Sequence, residues 1–434
     1  MHSLLFLFLK RFLKAPQFTA AEKQNRQKQF IKYLPGGRGT DTEEKIMSIL
    51  EQAQAIQEEI VANRRTIHQN PELGLDLPKT VAFVKEKLIE MGYTPTDCGK
   101  SGVVATIGKP GKTFLLRGDM DALPMKECTD LEFKSTNDWM HSCGHDTHTA
   151  MLLGAAKLLK ENEDKLNGTV KLMFQPGEEI LAGAKEMIDH GLLENPHVDA
   201  AMAIHISSTV PKGHLAYADR FCNASADKFV IKIKGKGGHG ASPEESFDPV
   251  NTAAHILISL QEINAREISG RDLAILTIGH LEAGDKENII PDTAWMEGTI
   301  RTYSNSVREF MKKRIEEISS AIAQAFRCTA VVEWPFGCVP NENNPELQAE
   351  LVKIAGELLG EDKVDLVPSS MGSEDFSWVS QSVPSMFFSL GARVKDDEKV
   401  FPRHSPFVLF DESVFSTGAA VYANAAIQWL KNHG

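Results

Sequence analysis

The sequence predicts an α/β fold built on a mostly parallel sheet flanked by helices, with a smaller α+β domain inserted in it. Three observations carry this. Apolar β-rich runs alternate with helical patterns through the first half of the chain and again from Pro340 onward, as parallel sheets require. Short polar islands follow the ends of those runs, the edge at which open α/β sheets bind ligands. Between 226 and 335 the order changes to β-α-β-β-α-β, the split ferredoxin-like arrangement.

Taken in order, Ile46, Ile49, Leu50, Ala53, Ile56, Ile60 and Val61 recur at helical spacing and predict a first helix over 42–65. NPELGLDLPKT (70–80) reads as a loop, punctuated by Pro71, Gly74 and Pro78. A helix over 79–91 stops at Gly92. VVATIG (103–108) and TFLLR (113–117) predict strands, the second running into GDMDALP. A helix over 149–161, a strand over 169–175, a helix over 182–190 and a strand over 199–207 follow.

KFVIKIK (228–234) alternates with period two and reads as a half-exposed strand. It opens the inserted domain, which continues with a helix (248–263), two strands (273–280 and 292–302), a helix (305–326) and a strand (329–334). The α/β pattern then resumes with a helix (345–359), the loop MGSEDF, a strand (385–391), the loop RHSPF and a final helix from Asp411 to Leu430.

Length and charge narrow the function. A chain of 434 residues exceeds one compact core, so two domains are expected. The net charge of -12, with no basic stripe interleaved with aromatics, argues against nucleic acid as a main partner. The six cysteines are scattered without small-scaffold spacing, which suits a reduced, cytoplasmic setting better than a disulfide framework. Residues 1–42 stand apart as a basic leader opening with LLFLFL, too short to span a bilayer. They read as disordered or peripherally attached rather than as a targeting peptide, and a membrane or targeting role stays open for them. No other stretch is long and apolar enough for a transmembrane segment.

Five polar islands carry the chemistry: GDMDALP (118–124), CGHDTH (143–148), PGEE (176–179), AIH (203–205) and RHSP (403–406). Each sits at a predicted strand end or helix start. Any one has a bland explanation: a lone His205 after an apolar strand is commonly a core histidine, and Cys143 alone could be a small buried hydrophobe. Five of them at one sheet edge point to a metal site, and Cys with His and Glu suits zinc, manganese or cobalt rather than magnesium or calcium. Glu178 and Glu179 leave a strand in different directions, so one can grip a metal while its neighbour serves as general base. GKGGHGASP (235–243) sets His239 among four glycines; a hairpin with an incidental histidine fits that pattern as well as an oxyanion donor does. Asn288 and Arg301 are weaker candidates, although an arginine would suit a substrate carboxylate.

Over residues 43–432 the sequence resembles the aminoacylase and hippurate-hydrolase branch of the di-metal peptidase clan, which includes auxin-amide hydrolases, related N-acyl-amino-acid amidohydrolases and carboxypeptidases. RRTIHQNPELG, LRGDMDALP, HSCGHDTHTAMLLGAA, FQPGEE, GKGGHGASP, GDKENIIPDTAWMEGTIRT, MGSEDFS and HSPFVLFDE carry the likeness. The resemblance implies a zinc-exopeptidase-like catalytic domain (43–225 and 336–434) and a lid and dimerisation domain (226–335). It implies two divalent metal ions, zinc or manganese with cobalt possible in vitro, held by Cys143, His145, Glu179, His205 and His404, with Cys143 as the candidate bridge. It makes Glu178 the general base and proton donor to the leaving amine, and Asp121 the residue that orients a metal ligand. His239 and Asn288 would reach the site of a partner subunit, in a homodimer or higher homo-oligomer. Asp119 stands where the clan at large has a histidine ligand and is left without a role. His141 and His148 drop out as ligands, and Asp146 is expected to be a helix cap or an outer partner. The expected activity is hydrolysis of N-acyl amino acids. A carboxypeptidase or dipeptidase using the same site is the alternative, and a non-catalytic metal-binding protein the remote one.

Overall fold

Apolar periodicity builds the first helices. α1 (Ile49–Ala55) is closed at its start by a reciprocal cap between Ser48 and Glu51, and α2 (Gln57–His68) follows after Ile56 alone. The single helix expected over 42–65 is thus two, because Ile56 takes φ -106° and ψ 11° and leaves the helical ladder. The computed structural model describes residues 47–394 and 400–434; the basic leader lies outside the described residues.

Helix α3 (Pro78–Glu90) leads to strands β1 (Thr96–Cys98), β2 (Gly102–Gly108) and β3 (Thr113–Asp119), then to α4 (His145–Glu161), β4 (Thr169–Gln175), α5 (Gly183–Asp189), β5 (Ala200–Ser207) and β6 (Leu215–Ala218). β3 is buried along its whole length, and β4 and β5 nearly so, as expected of strands covered on both faces. The chain then leaves this sheet through β7 (Phe221–Asn223) into β8 (Ala226–Lys234), β9 (Gly238–His239), α6 (Pro249–Glu262), β10 (Ala274–Ala283), β11 (Ile289–Ile290), β12 (Thr293–Thr302), α7 (Asn305–Ala325) and β13 (Thr329–Cys338). It returns through β14 (Asn341–Glu342), α8 (Pro345–Leu359), β15 (Val364–Val367), α9 (Ser377–Ser380), β16 (Ser385–Gly391) and α10 (Phe415–His433).

The large sheet has the order β1-β2-β4-β3-β5-β16-β6-β15. Its centre, β4-β3-β5-β16, is parallel throughout, while β2 and β6 pair antiparallel to their inner neighbours. β1, β6, β7, β14 and β15 were not foreseen; each is four residues or shorter, too brief for an alternating pattern to register. Helices α4 and α10 fill one face of the sheet with Leu152, Leu158, Phe415 and Tyr422. The Tyr422 hydroxyl donates to the Arg117 carbonyl at 2.6 Å and accepts from the Ile204 N–H at 2.8 Å, which fixes α10 across β3 and β5.

The second sheet has the order β10-β12-β8-β13, entirely antiparallel. Helices α6 and α7 cover one face, and Phe229, Ile231, Ile256, Leu260, Met311 and Ile315 form a core separate from that of the large sheet. Among the described residues no helix is long and apolar enough to cross a membrane.

Candidate metal centre

The parallel strands deliver their chemistry to one edge. β3 and β4 run in register to the pair Asp119–Gln175, and β5 flanks β3 on its other side. The segments leaving β3 and β4 carry Asp121, Glu178 and Glu179, and the last turns of β5 carry His205. α4 starts beside them at His145. The residue before it, Gly144, holds φ +93°, and a Cβ there would stand 2.3 Å from Ile206 Cγ2. Only glycine lets this turn close against β5, and the closure brings Cys143 Sγ to 3.4 Å from His205 Nε2.

The ring orientations follow from local hydrogen bonds. His205 Nδ1 donates to the Ile206 carbonyl at 2.7 Å, so Nε2 keeps the lone pair. His145 Nδ1 donates to the Asp121 carbonyl at 2.9 Å, which turns Nε2 toward Glu178 (3.7 Å) and Glu179 (3.9 Å). The Asp121 carboxylate accepts the N–H groups of Glu178 (3.0 Å) and Glu179 (3.1 Å) and lies 3.3 Å from His145 Nδ1. One aspartate therefore fixes three neighbours at once. His404, with φ +63°, places Nε2 at 3.5 Å from Glu179 Oε1 and is the most exposed of the group.

Ligand atoms of Cys143, His145 and His205 lie within 4.8 Å of one another, as do those of Cys143, Glu179 and His404, and those of His145, Glu178 and Glu179. His145 Nε2 and Glu179 Oε1 are buried without a hydrogen-bond partner. Burial pushes the Cys143 thiol up, Glu179 up to about 7, and Glu178 well above the ordinary carboxylate range with help from Glu374 and Glu179. A thiol and two carboxylates so placed gain from a cation among them, which reverses the cost of ionising each. The donor set and the orphaned atoms fit divalent metal.

Cys143, Glu178, Glu179, His205 and His404 open onto a cavity of about 760 Å³, which also reaches Arg301 of β12 and Arg403 beside His404. His239 and Asn288 stand apart from it. They are adjacent to each other, through the β9–β11 ladder and the Gly240 N–H to Asn288 carbonyl bond of 2.9 Å, but both are exposed on the second-sheet unit and neither lines the cavity.

The model of peptidase family M20/M25/M40 matches residues 115–428. The chain belongs to this family. A thermostable carboxypeptidase 2 from Saccharolobus solfataricus is 40% identical over 383 residues, covering 86% of this chain and 96% of the relative. An IAA-amino acid hydrolase, ILR1-like 4 from Arabidopsis thaliana, is 38% identical and covers 86% of each chain. A crystal structure of a dinuclear metal-binding M20 peptidase from Bacillus subtilis superposes with a TM-score of 0.74 at 30% identity, over 87% of this chain and 99% of the other. This M20 protein is a hydrolase of amide bonds, and its hydrolysis is metal-dependent.

Two buried networks support the M20 site, and the sequence did not disclose either. Arg117, fully buried on β3, meets Asp119 (2.8 Å), Glu374 (2.7 Å), Asp375 (3.5 Å) and the Gln175 side chain (2.8 Å). Asp119 also accepts from His148 Nδ1 at 2.5 Å, and His148 Nε2 accepts the Ile206 N–H at 2.7 Å, which commits both nitrogens of that ring. The signal for Glu374 was present in MGSEDF, an acidic pair between apolar elements. In the second network Asp146 takes Arg64 Nε (2.7 Å) and His68 Nδ1 (2.7 Å), and His68 Nε2 faces Glu127 at 3.2 Å. Asp146 is therefore no helix cap: Gly144 occupies the cap position without a side-chain bond, and α4 begins at His145 instead of Thr149. Asp411 likewise caps only the short turn Glu412–Val414 ahead of α10.

Proposed function

We propose that this M20 protein is an N-acyl-amino-acid amidohydrolase that releases a carboxylic acid and a free amino acid. The observation that carries the reading is the convergence of Cys143, Glu178, Glu179, His205 and His404 on one cavity, with His145 buried within reach of Cys143, His205, Glu178 and Glu179. Cys143, His145, Glu179, His205 and His404 would hold two divalent ions, zinc or manganese with cobalt as a substitute in vitro, with the Cys143 thiolate as the candidate shared ligand. When bound, the metals supply Lewis acidity, polarising the amide carbonyl and lowering the pKa of water. Glu178 takes the proton from the attacking water and returns it to the leaving amine. Asp121 holds His145 and the Glu178–Glu179 backbone in place. Arg301 receives the amino-acid carboxylate.

His239 and Asn288 act, on this reading, across a homodimer: the 226–335 lid of one copy brings them to the carbonyl in the other. Their exposure, and the fact that neither lines the cavity of its own chain, support this. His239→Ala is then expected to lower kcat by about 10²–10³-fold, the usual loss for one oxyanion donor, with metal content and melting temperature unchanged. Mixing His239→Ala with Glu178→Gln subunits restores part of the activity, because each heterodimer contains one intact site. Full activity of His239→Ala alone rules the lid role out.

Cys143→Ala is expected to weaken metal binding by more than the roughly 10–100-fold typical of losing an outer partner, read as metal per chain after dialysis. Retention of two ions at wild-type affinity would remove Cys143 from the ligand set. Five buried cysteines and an exposed Cys128, all reduced, suit the cytoplasm proposed as the compartment. The identity to a thermostable carboxypeptidase keeps a peptidase reading in play. A panel of hippurate, N-acetyl amino acids and dipeptides, run on metal-stripped protein reloaded with zinc, manganese or cobalt, separates the two. Cleavage of dipeptides alone overturns the amidohydrolase reading.

A further inference from the structure

Two arginines face the cavity from different parts of the fold. Arg301 comes from β12 of the second sheet, and its guanidinium donates to the Thr299 hydroxyl and, at 3.0 Å, to the Ile300 carbonyl. Arg403 comes from the loop after β16, and its Nη1 lies 2.7 Å from His205 Nε2 and 3.0 Å from His205 Nδ1. Among the described residues neither arginine has a carboxylate within 4.0 Å. Arg117, by contrast, is surrounded by three acids.

The His205 contact does not satisfy Arg403 in the working enzyme. His205 Nδ1 already donates to Ile206, so Nε2 holds the ring's one lone pair. If that lone pair ligates metal, Arg403 loses its acceptor and its charge faces the cavity. The acids there cannot compensate it: Glu374 is held by Arg117, and Glu178 and Glu179 face the metal cluster. Among the described residues the two guanidinium groups lining the cavity have no carboxylate partner, and a substrate anion can supply one.

We propose that Arg403 is a specificity-determining residue that binds a second anionic group, so that the preferred substrates are N-acyl amino acids bearing two carboxylates. One carboxylate goes to Arg301. The other, on the acyl chain or on the amino-acid side chain, goes to Arg403 through paired charge-assisted hydrogen bonds. A cavity of about 760 Å³ has room for either arrangement. The proposal rests on the amidohydrolase reading and narrows it.

The test compares hippurate with N-benzoylglutamate and N-succinylglycine on metal-loaded wild type, Arg403→Met and Arg403→Lys. Wild type is expected to favour one of the two dicarboxylates, and which one identifies the source of the second anion. Arg403→Met should lower kcat/KM for that substrate by about 10–100-fold, as for loss of a bond to a charged group, and should reduce the hippurate value far less. Arg403→Lys should recover part of the preference. The second readout is calorimetric binding of N-benzoylglutamate and of N-succinylglycine to the metal-loaded Glu178→Gln protein, with Kd for the tighter of the two rising by a similar factor when Arg403→Met is added. Equal losses on all substrates, or an unchanged Kd, overturn the proposal. If no N-acyl amino acid is cleaved, the amidohydrolase reading fails, and the calorimetry still decides Arg403.

Discussion

Glu178→Gln is expected to lower kcat on an N-acyl amino acid by at least about 10²–10⁴-fold, the usual contribution of a positioned general base. Metal per chain and melting temperature should stay at wild-type values. The reason is geometric. The Glu178 N–H, not its carboxylate, holds the Asp121 carboxylate, and glutamine keeps that backbone bond. The amide also keeps the side chain's volume against Glu374 and His145 while removing the ability to accept a proton. Gln at this position is also easier to bury, since burial already presses Glu178 toward its neutral form. Measurable turnover within threefold of wild type would assign the proton transfer elsewhere; loss of metal would show that Glu178 is itself a ligand.

Arg117→Met should destabilise the fold by about 3–5 kcal/mol near pH 8, because it strands buried Glu374 and Asp375 without a counter-ion and leaves Asp119 to His148 and His145. The deficit should shrink toward pH 5. Burial raises Glu374 above the ordinary range and Asp375 up to about 8, and Arg117 is the group that opposes both shifts. A carboxyl whose folded pKa exceeds its unfolded value of about 4 binds more protons in the folded state, so stability falls as pH rises between the two values. Removing Arg117 raises the folded values further and steepens that fall. Thermal unfolding of both proteins at pH 5 and pH 8 measures it. Equal midpoints at pH 8 would mean that the acids are compensated by something other than Arg117.

Much of the candidate site was legible in the sequence because its side chains sit in long, polar, oddly composed islands. HSCGHDTH and FQPGEE announce metal chemistry by residue type alone, and the strand–helix alternation places them at one sheet edge. Arg117 gave no such signal: at the end of TFLLR it looks like a strand residue meeting solvent, whereas it is 1% exposed among acids from distant loops. The helix-cap alternative for Asp146 failed for the opposite reason. Its place in the first turn of a helix is where caps occur, but its partners Arg64 and His68 arrive from α2, about eighty positions earlier. The short strands β6 and β15 were also beyond reach, since four residues do not make a period.

The sequence by itself determined the fold class, the succession of the longer elements and the candidates for the chemistry-bearing residues, because periodicity and residue type are local properties. Only the tertiary structure decided which of those residues meet. Gly144 must close on Ile206 before Cys143 can approach His205, and two hydrogen bonds from histidine Nδ1 atoms select the nitrogens that face the cluster. It also decided that Arg301 and Arg403 share one cavity, while His239 and Asn288 stay outside it. Distances between loops separated by hundreds of residues are set by sheet register and packing, and no local pattern encodes them.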